Sequence, residues 1–262
     1  MKKLILLSFL YLAACSVVPM TGRKQFVAIP SSQMIALGND SYSQVLGESE
    51  LSNNTEYVNT VRRAGEKLTR AVEAYLKQNN LEAAIQGYNW QYNVIVSEQL
   101  NAWCMPGGQI AFYEGIMPIC QDENGVAVVM GHEIAHAVAK HGNERMSQQL
   151  AIELGGIALS EALKTQKEET IQLALLAFGV GSTVGVQLPF SRTHETEADE
   201  LGLYFMAMAG YDPRTAPEFW ERMDQNAGDL PPEFLSTHPH PSNRIENLNR
   251  VMPKALEYYN AR

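Results

Sequence analysis

The chain has 262 residues, of which 45% are hydrophobic and 19% charged, an ordinary composition for a globular protein with a buried core. Its formal net charge of −9 argues against nucleic acid as a partner, because binding nucleic acid requires clustered lysine and arginine. The length is compatible with one large domain or two small ones.

The first residues, 1–15 (MKKLILLSFLYLAAC), have the pattern of a bacterial lipoprotein signal peptide. Two lysines precede an apolar run that is too short to span a bilayer, and small residues lead to a cysteine. We expect cleavage before Cys15 and acylation of that cysteine, so that the lipid anchors the protein to a membrane on the periplasmic side. A plain signal peptide, or an anchor with a chance cysteine, is the alternative. Because Ser16 follows the cysteine where aspartate favours inner-membrane retention, the outer membrane is preferred.

The next segment, 16–55, is expected to be an extended stretch followed by a helix that Ser31 or Ser32 caps and that ends near Leu46. A second, amphipathic helix is predicted over 55–78, and strands are predicted within 88–97 and 105–116. From Asp122 onward the pattern predicts helices at 123–141, 143–165, 168–187, 192–209, 215–226 and from 242. Cys104 and Cys120 could pair in an oxidising compartment, but their spacing does not decide this.

The apolar segment 171–190 is almost hydrophobic enough for a membrane span. It contains Gln172, Gln187 and three glycines between 179 and 185, and it is short for a span. We therefore expect a buried helical segment near the candidate active site.

The run GHEIAHAVAKHG, 131–142, places His132 and His136 side by side on one helical face. Two imidazoles at this separation suit one tetrahedral Zn²⁺. Glu133 is rotated by about 100° from His132 and is suited to act as general base on an activated water. Because the neighbours are apolar, unpaired polar groups would be costly there. Hydrogen-bonded core histidines with a surface glutamate are the alternative interpretation.

A third ligand is expected from a later helix. Ala139 and Gly142 stand where the metzincin pattern requires glycine and histidine, which excludes that class. In SRTHETEADELG, Glu195 offers a carboxylate and leaves the fourth position open for water, as a catalytic zinc site requires. Asp199 lies one turn further on the same face and would accept the far N–H of a ligand histidine.

The combination of HEIAHAVAKHG, SRTHETEAD and STHPHPSNRI resembles the gluzincin peptidases that include the type I CaaX prenyl proteases and the bacterial heat-shock membrane protease. The non-spanning branch, with mitochondrial and periplasmic members, is the most similar, and the likeness extends to TGRKQ (21–25) and NAWCMPGGQIAFYEGIM (101–117). The resemblance implies a zinc metallopeptidase domain over 56–262 of the α+β, mostly helical, zincin-like class. A small β-sheet would place its edge strand beside the active-site helix. One Zn²⁺ per chain would be held by His132, His136 and Glu195, with Glu133 as base.

The resemblance also implies an edge strand that binds extended substrate by adding a strand to the sheet. We expect this edge at five consecutive residues: Gly107, Gly108, Gln109, Ile110 and Ala111. A buried hairpin strand is the alternative interpretation of the same residues.

Two residues of the C-terminal motif have open roles. His238 is expected either to be a fourth ligand in a latent state or to donate to the developing oxyanion, and Arg244 could serve the second role. A loop histidine beside a proline turn is the alternative for His238. The other three histidines, His141, His194 and His240, are expected to point away from the ligands or to lie on exposed turns.

The sequence therefore predicts a lipid-anchored zinc endopeptidase that cleaves unfolded or misassembled cell-envelope proteins. A chaperone-like quality-control protein with a latched, weakly active zinc site is the first alternative, and a non-peptidase zinc hydrolase is a weaker one. Polypeptide substrates, the membrane and envelope assembly machinery are the expected partners.

Overall fold

The computed structural model describes residues 15–153, 191–226, 238 and 243–261. The signal peptide up to residue 14, the apolar segment with its expected helix at 168–187, and His240 lie outside the described residues. Within the described ranges, no helix is both long and apolar enough to cross a membrane.

The described chain is mostly helical and contains two small sheets. Its elements, in chain order, are β1 (Cys15–Val17), β2 (Lys24–Phe26), α1 (Ser31–Glu48), α2 (Thr55–Gln78), β3 (Gln91–Ile95), β4 (Ala102–Met105), β5 (Gln109–Tyr113), α3 (Met117–Cys120), α4 (Glu123–Val138), α5 (His141–Glu153), α6 (Arg192–Met208), α7 (Thr215–Gln225) and α8 (Arg244–Asn260). This confirms the predicted α+β, mostly helical class.

Helix starts follow local capping chemistry at several of these elements. Asn54 accepts hydrogen bonds from the first amides of α2, and Asp122 does the same for α4. The predicted serine cap of α1 is wrong, because the helix starts at Ser31 itself after Pro30, without a side-chain cap. Proline suits a helix start because its φ angle is already fixed near the helical value.

The three-stranded sheet has the order β3-β5-β4, with β3 parallel and β4 antiparallel to β5. The prediction that residues 107–111 form the edge strand is therefore wrong, because β5 is hydrogen-bonded on both sides. Its two faces are also covered: Ile110 and Phe112 join the main core, and Ala111 joins a second core beneath α1. β4, which lies outside the strands that the sequence pattern predicts, is the edge strand packed against α4.

The glycines of the PGG turn have a conformational role. Gly107 and Gly108 have φ angles of +109° and +92°, which allow the chain to reverse between β4 and β5. These values match the hairpin interpretation of the segment and leave the main chain of β5 inside the sheet.

Helices α4 and α6 cross at a pair of glycines. A Cβ atom at Gly202 would lie 2.7 Å from the backbone nitrogen of His132, and one at Gly131 would lie 2.8 Å from the carbonyl oxygen of Gly202. Because no side chain separates them, the two helix backbones come into direct contact. This contact places the HExxH face of α4 against the acidic first turns of α6.

The two remaining cysteines do not form a disulfide. Cys104 and Cys120 are both buried free thiols, and burial raises the pKa of each thiol. Both therefore serve as small apolar core residues.

Candidate metal centre

Four side chains from three parts of the chain converge at the α4–α6 crossing. His132, His136, Glu195 and His238 each direct one nitrogen or oxygen atom to a common point, and these atoms lie within 4.8 Å of one another. All four residues are buried. The structure thus brings together the three predicted ligands and His238.

The distances between these groups are short. Nε2 of His132 and Nε2 of His136 are 3.0 Å apart, His132 Nε2 lies 3.4 Å from Oε2 of Glu195, and His136 Nε2 lies 3.4 Å from Oε1. Ligands placed 2.0–2.1 Å from a tetrahedral Zn²⁺ are separated by about 3.3 Å. The donor set and its spacing therefore fit one zinc ion.

His238 occupies the fourth corner of this arrangement. Its Nδ1 lies 3.1 Å from Glu195 Oε1 and 3.4 Å from His132 Nε2. Its other ring nitrogen, Nε2, is 3.8 Å from Glu133 Oε1. Of the roles left open by the sequence, this geometry favours a fourth ligand in a closed state.

Glu133 lies beside the four ligand atoms and is itself buried. Burial raises the pKa of Glu133 to about 8, and the negative charge of Glu195 acts in the same direction. A carboxylate with a raised pKa is a stronger base, although a bound dication would reduce this effect.

Asp199 lies behind His132, as predicted from its position one turn after Glu195. Its Oδ1 is 2.9 Å from Nδ1 of His132, the ring nitrogen that points away from the ligand cluster. Such a partner fixes the orientation of a ligand imidazole and keeps its inner nitrogen available.

Arg244 connects the two carboxylates of α6. It donates from Nη2 to Glu195 Oε2 at 2.8 Å and from Nε to Asp199 Oδ2 at 2.7 Å, and its guanidinium lies 3.8 Å from the ring centroid of Trp220. These contacts indicate that Arg244 positions the carboxylates. The predicted oxyanion role would depend on the remaining nitrogen, Nη1, and stays a prediction.

His141 and His194 are both buried, so neither lies on an exposed turn, and neither belongs to the set of ligand residues. Nδ1 of His141 lies 2.9 Å from Nδ1 of His136, and its Nε2 lies 2.9 Å from Glu197. If His136 binds a metal through Nε2, its Nδ1–H donates to His141, which must then carry its own proton on Nε2 and donate it to Glu197. Burial lowers the pKa of His141 to about 4, in agreement with this neutral form.

A repeated HxxE pattern explains how the histidines and glutamates outside the ligand set pair with each other. His141 and Glu144 begin α5, His194 and Glu197 begin α6, and each histidine pairs with the glutamate of the other helix at 2.9 Å. The two imidazoles stack at 4.4 Å. The pattern is visible in the sequence, but the exchange of partners depends on the helix crossing.

Arg23 of the β1–β2 hairpin contacts both of these glutamates. It donates to Glu197 at 2.7 Å and to Glu144 at 2.9 Å, and Thr21 also donates to Glu197. Hydrogen bonds from histidine and Arg23 hold the pKa of Glu144 and Glu197 at about 2, although burial acts in the opposite direction. The TGRKQ motif thus contacts the metal centre through Glu197 and His141.

We expect Arg23→Met to lower the free energy of unfolding by about 2–3 kcal/mol at pH 7, because two largely buried carboxylates lose their shared cation. Urea unfolding measures this change. The stabilisation that Glu144 and Glu197 gain from Arg23 is complete above the ordinary glutamate pKa and is lost as the pH falls toward 2. The difference in unfolding free energy between Arg23→Met and wild type should therefore shrink at pH 3. Arg63→Met is the control, because it removes an exposed pair with Glu123 and should cost less than about 1 kcal/mol. Equal losses for both variants would contradict this account.

Comparison with known proteins agrees with this geometry. The sequence model described as Peptidase family M48 matches residues 63–252. The mitochondrial metalloendopeptidase OMA1 of Schizosaccharomyces pombe is 32% identical over 247 residues, which cover 94% of this chain and 68% of that protein. Human mitochondrial metalloendopeptidase OMA1 is 31% identical over 255 residues, covering 94% and 48%. The beta-barrel assembly-enhancing protease of Escherichia coli K12 is 27% identical over 176 residues, covering 64% and 36%.

Proposed function

The chain belongs to peptidase family M48, and we propose that it is a zinc endopeptidase that cleaves unfolded or misassembled polypeptides of the cell envelope. The observation that carries the proposal is the set of buried nitrogen and oxygen atoms from His132, His136 and Glu195, spaced as in a tetrahedral zinc site. A buried general base lies directly beside this set.

The side chains of this centre have separate tasks in peptide hydrolysis. A bound Zn²⁺ would act as a Lewis acid that acidifies water and polarises the scissile carbonyl group. Glu133 takes a proton from the attacking water and delivers it to the leaving amine. Asp199 and His141 hold the ligand imidazoles in orientation, and Arg244 holds Glu195. Because the centre is buried, these electrostatic effects are stronger than they would be in water.

We propose that an extended substrate binds beside β4, the edge strand next to α4, although all four residues of β4 are buried in this structure. Main-chain hydrogen bonds to a strand edge tolerate many side chains but require an extended chain. Unfolded polypeptides meet this requirement, whereas a folded domain does not offer free backbone. This selectivity argues for a peptidase over a zinc hydrolase of small molecules.

The N-terminal sequence and one relative support a proposed place of action. Acylation of Cys15 would anchor the protein to the outer membrane with its zinc centre in the periplasm. The Escherichia coli relative is described as beta-barrel assembly-enhancing, and by analogy we propose that envelope assembly machinery is a partner.

A latched, chaperone-like protein is the second candidate function, and the position of His238 favours it. Its Nδ1 lies where water or substrate would bind in an open zinc site. In this closed state the protein would bind unfolded chains and cleave them slowly. The two functions differ in whether His238 leaves the fourth position.

We expect zinc-replete wild-type protein to cleave denatured casein slowly and the His238→Ala variant to cleave it about tenfold faster. The reason is that the rate is proportional to the fraction of molecules in which His238 has left the fourth position, and this fraction is small in the wild type. His240→Ala, in the same HPHP segment, is the matched control and should behave as wild type. Slower cleavage by His238→Ala would show that this histidine assists catalysis. Absence of cleavage by both proteins would contradict the endopeptidase and favour the binding function.

A further inference from the structure

A cleft opens directly onto the candidate active site from the side of α1. Glu133 and His136 are among the residues that line it. The walls come from α1, the segment before β3, the β4–β5 turn and α4. A side chain in this cleft would lie next to the bond that is hydrolysed.

The walls of this cleft are mainly apolar. They include Met34, Ile35, Ala84, Tyr88, Pro106 and Ala137. Tyr88 is held in place by a hydrogen bond of 2.9 Å from its hydroxyl to the carbonyl oxygen of Ala137. A rigid apolar recess of this kind gains free energy by removing a large apolar side chain from water.

Lys140 provides the cation of the cleft. Its Nζ donates to Ser31 at 3.0 Å, and no carboxylate of a described residue pairs with it. Partial burial lowers the pKa of Lys140, so the site disfavours its positive charge unless an anion is added.

The backbone at Lys140 supports a role for its side chain. Lys140 follows the end of α4 with a φ angle of +59°, in the left-handed region where glycine is the favoured residue. A lysine there is less stable than glycine would be.

We propose that this cleft is a substrate subsite that takes a large apolar side chain adjacent to the scissile bond, with Lys140 pairing an acidic side chain next to it. The inference rests on the proposed peptidase function and adds the substrate class: unfolded segments in which an apolar residue neighbours Asp or Glu. Apolar segments flanked by basic residues are cleaved poorly.

The test uses zinc-replete full-length protein and fluorogenic peptides that contain one phenylalanine among small residues. The residue on either side of the phenylalanine is glutamate, glutamine or lysine. Wild type should cleave the glutamate peptides about fivefold faster than the lysine peptides, the size of one partly exposed ion pair. Replacing the phenylalanine by alanine should lower kcat/KM about tenfold or more.

Three variants and one control separate the effects of charge, space and folding. Lys140→Glu should reverse the order of the glutamate and lysine peptides. Lys140→Gly should remove the preference while keeping or raising the melting temperature, because glycine suits the positive φ angle. Ala84→Phe narrows the cleft and should slow the phenylalanine peptides about tenfold more than it slows the alanine peptide. Lys77→Glu makes the same charge change at an exposed position in the last turn of α2 and should leave the order unchanged.

Unchanged peptide order in Lys140→Glu, or equal cleavage of the phenylalanine and alanine peptides, would overturn the proposal. If zinc-replete wild type cleaves no peptide, the endopeptidase function is refuted. Equilibrium binding of the same peptides then tests the proposed subsite separately. In fluorescence anisotropy, wild type should bind the glutamate peptide more tightly than the lysine peptide, and Lys140→Glu should reverse this. Identical affinities would overturn the subsite as well.

Discussion

A Glu133→Gln variant is expected to bind zinc like the wild type and to cleave denatured casein at least about a hundredfold more slowly, because the amide cannot accept the proton of the attacking water. The measurement is the rate of casein cleavage together with the metal content of each protein. Glu133 is absent from the set of ligand atoms, so its loss should not release the metal.

The fold should tolerate this substitution. Oε1 of Glu133 makes no hydrogen bond to any described residue, and burial disfavours the charge of this carboxylate. A neutral amide therefore removes the unfavourable free energy of burying that charge. Glu123→Gln is the matched control, since it makes the same chemical change in the first turn of the same helix. Glu123 pairs with Lys67 at the surface, and its loss should leave cleavage unchanged. A cleavage rate for Glu133→Gln that equals the control would refute the assigned base.

Arg244→Met is expected to lower the free energy of unfolding of the metal-free protein by about 3–5 kcal/mol, because it leaves the buried carboxylates of Glu195 and Asp199 without their cation. It should also weaken zinc binding about tenfold to a hundredfold, since Glu195 and His132 lose the partners that orient them. Urea unfolding and competition with a zinc chelator measure these two effects.

Two further substitutions make this test specific. Arg244→Lys keeps the charge, but a single ammonium group cannot bind both carboxylates in the same geometry, so most of the loss should remain. Arg222→Met is the control, because Arg222 also lies over an aromatic ring, that of Phe219, but donates to a backbone carbonyl. If Arg222→Met costs as much as Arg244→Met, packing on the ring explains the effect and the carboxylate contacts do not.

Local patterns predicted much of this molecule. The helical period indicates α2 with its observed ends, and the apolar run around HExxH predicts α4. Glu195 and Asp199 could be predicted from zinc chemistry, because a third ligand and an outer partner were required and a later helix offered both.

Contacts between distant segments could not be predicted in the same way. The crossing of α4 and α6 depends on Gly131 and Gly202, whose importance appears only when the two backbones meet. That crossing lets His141 pair with Glu197, which single-helix periodicity does not reveal. The position of His238 is likewise set by tertiary structure.

The error about the edge strand has a specific cause. The edge-strand prediction includes Gly107 and Gly108 in the substrate-binding edge, whereas their positive φ angles serve the hairpin turn. Strand order is a property of the whole sheet, and the short, fully buried β4 has no alternation to mark it in the sequence. The edge strand of the sheet beside α4 is therefore β4 and not residues 107–111.

Titration of zinc into metal-free wild-type and Glu133→Gln proteins, with casein cleavage and bound metal followed in the same samples, separates metal binding from catalysis by Glu133. We expect both proteins to bind one zinc ion per chain, and we expect cleavage by the wild type to rise with occupancy to a plateau while the variant stays inactive. Cleavage by the metal-free wild type, or equal cleavage by the two zinc-loaded proteins, would contradict this expectation.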